Sequence, residues 1–153
     1  MKTAVYLAVN GTLMRGLALN SNMQHVGAVF VREAWTEPTY RLWSIADRHP
    51  AMVRVASGGA AIAVEVWAVP AAGIATLLQL EPPGLCIGKV RLADGEEVLG
   101  VLGEAILCEG HREITAWGGW RAYLAGKGKA DQQDGAGRED EEGREGYEDG
   151  EDG

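Results

Sequence analysis

The feature that most narrows the fold is a rhythm of short β-prone runs, broken at close intervals by turn residues. Seven such runs are read, over residues 3–9, 26–32, 40–45, 52–56, 60–69, 86–92 and 98–107. Asn10-Gly11 breaks the first, Glu37-Pro38 separates the second from the third, and Gly58-Gly59 turns the chain ahead of the fifth. Asp94-Gly95 stands between the last two runs, and that dipeptide favours the tight turn of a hairpin. The fifth run alternates around Val64, Val66 and Val69, the pattern of a strand with one face inward.

Helical character is concentrated in residues 71–80, where Ile74, Leu77 and Leu78 are expected on one face. Pro70 ahead of it loses little, because the first helical amides lack partners in any case, and Glu81-Pro82-Pro83-Gly84 ends it. Asn20-Ser21-Asn22-Met23 is read as the cap of a short helical turn. Residues 114–125 hold Trp117-Gly118-Gly119-Trp120-Arg121 and are expected to fold back as a loop and short helix, with the arginine stacking on an indole as one option. Many short strands with few helices predict a mixed α/β (α+β) fold, a small β-barrel-like sheet with helical additions.

Charge divides the chain. From Lys127 on, four basic residues face eleven acidic ones, a net −7 out of −8 for the whole chain. The low pI therefore belongs to the tail, and residues 1–126 are nearly neutral. Residues 127–153 hold almost no apolar side chains to offset chain entropy, so they are expected to be a disordered acidic tail, either an interaction segment or an unselected extension. Residues 1–126 are long enough to build a core without staples, and Cys86 and Cys108 are expected as buried free thiols. No apolar run approaches the roughly 18–20 residues of a membrane span, and Met1-Lys-Thr-Ala-Val does not open a signal peptide, so a cytoplasmic protein without membrane contact is expected. No basic patch points to nucleic acid. His25, His49 and His111 show no metal-ligand spacing and are expected to be structural or solvent-facing. No dinucleotide or phosphate-loop fingerprint appears, so no cofactor is expected.

Several residues break the apolar pattern. Glu65 lies in an otherwise buried run and needs a partner, for which Arg41, Arg54 and Arg121 are candidates; a structural ion pair and contact with a substrate remain equal readings. Asn10-Gly11-Thr12-Leu13, at the end of the first run, is positioned to offer backbone N–H groups to an anion. Arg15 follows with a fork of donors suited to an acidic ligand.

The order of motifs resembles a known family. Gly11-Thr-Leu-Met-Arg-Gly-Leu-Ala-Leu-Asn followed by Gly27-Ala is similar to the opening of glutamyl-cyclotransferase and AIG2-like proteins, and to the C-terminal domain of allophanate hydrolases. Tyr40-Arg-Leu-Trp, Gly59-Ala-Ala-Ile-Ala-Val-Glu-Val-Trp, Ile87-Gly, Gly100-Val-Leu-Gly-Glu and Ile114-Thr-Ala-Trp-Gly-Gly-Trp-Arg-Ala-Tyr extend the second likeness in order over about residues 3–125. The resemblance implies a cyclotransferase-type barrel with a cavity beside the first-strand loop. It also implies chemistry on urea-derived molecules, the C-terminal domain being associated with decarboxylating N-carboxycarbamate and with assembly. No amidase signature stands in the sequence, so a complete allophanate hydrolase is not expected.

The same resemblance assigns residues. Glu81 aligns with the glutamate that serves cyclotransferases as general acid/base, and Asn20, in the shared Gly-Leu-Ala-Leu-Asn run, is placed near the pocket. There are departures: Leu13 stands where the decarboxylating domain carries histidine, Asn10 replaces the cyclotransferase tyrosine, and Pro82-Pro83 replaces the usual continuation. Three readings stay open. The chain is a stand-alone relative of the allophanate hydrolase C-terminal domain that binds a small anionic nitrogen metabolite; or a γ-glutamylcyclotransferase releasing 5-oxoproline; or a non-catalytic module that docks to an amidase partner or pairs as a homodimer.

Overall fold

Strand β1 (Ala4–Val9) lies mid-sheet, with Leu7, Ala8 and Val9 each 1% exposed or less. The computed structural model describes residues 3–137. The chain divides into two units, one up to Trp120 and one from Arg121 on.

In the first unit β1 is followed by α1 (Asn20–His25), β2 (Val29–Trp35), β3 (Tyr40–Ile45), β4 (His49–Arg54), β5 (Ala63–Pro70), α2 (Ala71–Leu80), β6 (Leu85–Arg91), β7 (Glu97–Gly103), α3 (Ala105–Cys108), β8 (Arg112–Glu113) and a 3₁₀ turn at Thr115–Trp117. A five-stranded sheet runs β2-β5-β1-β7-β6, and a three-stranded sheet runs β4-β3-β8. β1 is antiparallel to β5, with Leu7 opposite Trp67 and Val9 opposite Glu65, and parallel to β7. Leu42, Met52, Ile62, Val66, Val90 and Leu92 form much of the interior, each at most 1% exposed.

The expected barrel is corrected: no closed barrel forms among the described residues. The outer strands β2 and β6 approach one another only just past their ends, at the isolated bridge Thr36–Leu92, with Glu37 N donating to Arg91 O (2.9 Å) and Ala93 N to Trp35 O (2.8 Å). Closure needs a continuous ladder along both edges. Here pairing stops at one corner, and β3 and β4 are drawn into a sheet of their own.

Local chemistry accounts for other differences. The second strand starts at Val29 rather than at residue 26, because Val26–Ala28 end α1. Gly27 takes φ +78°, its N–H donates to Gln24 O (3.0 Å) and that of Ala28 to Met23 O (2.9 Å), the double bond that terminates helices on a left-handed residue. Asn20 does not cap α1; Leu19 holds the cap position, and the Asn20 side chain turns elsewhere. α2 has the expected limits, but its buried residues are Gly73 and Leu77 while Leu78 is 36% exposed. β7 ends at Gly103, and residues 105–108 form α3, which carries buried Cys108. Cys86 and Cys108 are both free thiols, as expected, but only Cys108 is buried; Cys86 is half-buried. The Asp94-Gly95 hairpin joins β6 and β7, with Gly95 at φ +93°.

The described part of the second unit is helical: α4 spans Trp120–Gly137, longer than the short helix expected after residue 114. The tail expected from residue 127 thus begins within this helix, and residues 138–153 lie outside the described residues. Among the described residues no helix is long and apolar enough to cross a membrane.

Candidate functional site

The turn after β1 is held from several sides. Asn10, 4% exposed, donates from Nδ2 to the Val101 carbonyl of β7 at 2.9 Å. Met14 N donates to Gly11 O (3.0 Å) and Leu19 N to Thr12 O (2.9 Å). Asn20 Nδ2 donates to Leu13 O at 2.8 Å, so the asparagine expected near the pocket braces the turn from behind. Gly11 has no room for a side chain: a Cβ there would sit 2.5 Å from Pro50 Cδ, and the turn thereby closes against the start of β4.

Glu65 completes the bracing. It is 3% exposed and accepts from Arg15 N (3.0 Å), Arg15 Nε (3.1 Å) and Trp67 Nε1 (3.1 Å). Arg15, which was not among the arginines expected, is thus a partner of Glu65. Arg41 turns to Gly58 O and Glu113, and Arg54 to Glu37. The register explains the choice: Glu65 pairs with Val9, which brings it level with the turn that begins one residue later. Arg15 also contacts Glu33 at 2.7 Å and lies 3.7 Å over the Phe30 ring, which meets Trp67 edge-on. Burial pushes the Glu65 carboxyl up, but its hydrogen bonds from Arg15 and Trp67 and the guanidinium charge outweigh that and hold it below the ordinary carboxylate range.

The opposite side of the turn faces a hollow. Its walls are Val9–Leu13, His49 and Pro50 from β4, Glu81 just past α2, Leu85, and Val101 from β7. It has about 10 Å³ of room for water-sized contents, enough for about one water, within about 260 Å³ of unoccupied space that extends to solvent. Asn10, Gly11, Thr12, Leu13 and Glu81 are thus brought together, whereas Arg15, Asn20 and Glu65 stand outside the lining and hold the turn in shape. No lysine or arginine is in the lining.

Glu81 follows the last turn of α2 in extended conformation (φ −76°, ψ 154°). Its Oε2 is buried with no hydrogen-bond partner. Burial without a donor disfavours the charged form and pushes the carboxyl up to about 7. Near neutral pH it is therefore shared between a proton-donating acid and a proton-accepting base. The amides of Gly11, Thr12 and Leu13 meet no acceptor among the described residues, and all three residues line the hollow with Glu81.

His49, expected to be structural or solvent-facing, proves buried and stands in the wall of the hollow. It lines the hollow, is 9% exposed, and has Nδ1 at 3.0 Å from the Pro50 carbonyl oxygen. Spacing rules written for metal ligands do not register one histidine at the start of a strand. The only local signal is the proline that follows it. Among the described residues no cluster of three or more His, Cys, Asp or Glu is arranged to hold a metal.

The sequence pattern of the family described as "Allophanate hydrolase C-terminal domain" matches residues 5–125. The chain belongs to that family. Among solved structures, this allophanate hydrolase C-terminal-type domain is similar to c4763, a uropathogenic E. coli-specific protein, with 61% identity, TM-score 0.80, and coverage of 80% of this chain and 97% of that one. It is 31% identical over 134 residues to the urea amidolyase of Saccharomyces cerevisiae, covering 80% of this chain and 7% of that protein. The chain thus spans under a tenth of the curated relatives it matches. A looser likeness, 18% identity and TM-score 0.53 over 69% of this chain and 79% of the other, links it to an AIG2-like protein of Mus musculus and concerns the fold alone.

Proposed function

We propose that this chain binds a small anionic, urea-derived nitrogen compound in the hollow between the β1 turn and Glu81, and promotes its loss of carbon dioxide. The observation that carries this reading is the orphaned, buried Oε2 of Glu81, a residue that lines the same hollow as the β1 turn. A carboxyl group kept partly neutral at pH 7 donates a hydrogen bond or a proton to an anion, which a carboxylate would repel. In an N-carboxylated compound the step is simple. Glu81 gives its proton to the nitrogen, the C–N bond breaks with its electron pair going to nitrogen, and carbon dioxide leaves. Solvent then returns a proton to the Glu81 carboxylate. The balance needs no cofactor, and Leu13 takes no part in it. Membership of the allophanate hydrolase C-terminal domain family supports the substrate class, as does the likeness to urea amidolyases. An amidase that supplies an N-carboxylated product is the partner this reaction calls for.

Glu81 at the hollow also suits a second reading. The α-amine of a γ-glutamyl amine would lose a proton to Glu81 and attack its own γ-carbonyl, releasing 5-oxoproline. The enclosed part holds about one water, so either ligand would have to occupy the roughly 260 Å³ open toward solvent, which the smaller one does more readily. The test is to supply the protein with allophanate plus an amidase, and separately with γ-glutamyl amines. Accelerated carbon dioxide release that Glu81→Gln reduces at least about 100-fold supports the first reading. 5-Oxoproline release supports the second. Neither product, with no ligand-induced change at the hollow, overturns both.

A further inference from the structure

Glu81 and the turn supply donors to the hollow, and a hollow of donors alone would accept any small carboxylate. His49 changes that. Its Nδ1 lies 3.0 Å from the carbonyl oxygen of Pro50. A carbonyl oxygen only accepts, so Nδ1 is the donor, and in the neutral tautomer that this contact selects Nε2 carries a lone pair. Nε2 has no hydrogen-bond partner among the described residues, and His49 is part of the hollow's wall.

The ring is set from both sides. The two residues before Arg48 and His49 hold left-handed conformations unusual outside glycine, Ala46 at φ 54° and Asp47 at φ 59°, with the turn tied by Ser44 Oγ to Asp47 and Arg48 N to Ile45 O (3.0 Å). Pro50 is wedged against Gly11. His49 therefore holds its place in the hollow's wall on a tied hairpin, next to the proline packed against the β1 turn.

We propose that His49 Nε2 is the acceptor that makes the hollow selective for ligands bearing an N–H beside a carboxylate, as in N-carboxylated amines and amide-bearing acids, over plain carboxylates of the same shape. The proposal rests on the reading of the hollow as an anion site. It adds a determinant of ligand class that the Glu81 chemistry does not require.

Oxamate and pyruvate are near-isosteres that differ in having an amide nitrogen or a methyl group beside the same oxoacid, so they isolate the N–H. Their binding to the full chain is measured by calorimetry and by amide chemical shifts of Gly11, Thr12 and Leu13. The unaltered chain is expected to bind oxamate about tenfold more tightly than pyruvate, the effect of one hydrogen bond that pyruvate leaves unmade. His49→Asn keeps a nitrogen within reach of the Pro50 carbonyl but removes Nε2, and is expected to bind the two equally. His49→Gln places an amide oxygen near the Nε2 position and is expected to retain the preference. Equal binding of both probes by the unaltered chain overturns the role of His49 and leaves the anion reading standing. So does a preference that survives in His49→Asn. Binding of neither probe, with unmoved amides, overturns both. Should His49→Asn not fold, the ring's ¹⁵N shifts in the unaltered chain decide: a proton on Nε2 rather than Nδ1 overturns the proposal.

Discussion

Two carboxylates, Glu65 buried and Glu81 half-buried, flank the same turn and behave in opposite ways. Glu65 sits behind it, with both oxygens engaged by Arg15 and one also by Trp67, and is held below the ordinary range. Glu81 sits in front of it, with a buried oxygen that nothing meets, and is pushed up to about 7. Burial acts in the same direction on both, toward the neutral acid. Donors decide the outcome: where they converge the carboxylate becomes a structural tie, and where they are withheld it keeps a proton to give. The strand pairing separates the roles, since Glu65 shares a register position with Val9 while Glu81 lies outside any ladder.

The sharpest way to break the comparison is to remove the donors from Glu65. Arg15→Met leaves that carboxylate 3% exposed without its charged partner, and a loss of about 3 kcal/mol in chemical denaturation is expected. An unchanged midpoint would mean that the Glu65 tie does not hold the turn. Next comes the wall between the two groups. Gly11→Ala drives a methyl group into the Pro50 ring, so a loss of about 2 kcal/mol and a weaker response of the hollow to oxamate are expected. The third experiment sharpens the contrast through pH. A carboxyl raised on folding keeps its full share of stability below the unfolded value of 4.5 and loses it as pH climbs to about 7. Glu81→Gln, which never ionises, should match the unaltered chain near pH 4 and exceed it by about 1–2 kcal/mol at pH 8, after allowing for partial solvent screening. Glu65 should behave in the reverse sense, its contribution fading as acid protonates it. A difference between Glu81→Gln and its parent that does not vary with pH would remove the contrast. The smallest effect belongs to the hairpin that carries His49. Ala46→Gly relieves the left-handed strain at φ 54° and should raise stability by about 0.5 kcal/mol in the same denaturation assay.

Much of this was readable from residue order, and the exceptions have a common cause. Helix α2 was recognisable because Pro70 and Glu81-Pro82-Pro83 bracket a run of good helix formers, and the β6–β7 hairpin because Asp94-Gly95 dictates its turn. The pairing of Glu81 with the β1 turn followed from resemblance, not from any local pattern. The partner of Glu65 was not legible, because it depends on which strand lies beside β5 and in what register, and no property of residues 60–69 encodes that. His49 escaped for a similar reason: its position beside Gly11 arises from packing between the β1 turn and the start of β4. The barrel expectation failed at its closure, where strand count says nothing about whether the outer edges meet along their length.

The central place of β1 has a consequence for how the chain acquires its structure. Its ladder partners are residues 65–70 and 99–100, so during synthesis the first strand waits until most of the domain has left the ribosome. Such distant pairing makes for slow acquisition of the native state. A nascent chain stalled before β7 would leave one edge of Tyr6-Leu7-Ala8-Val9 without its ladder partner.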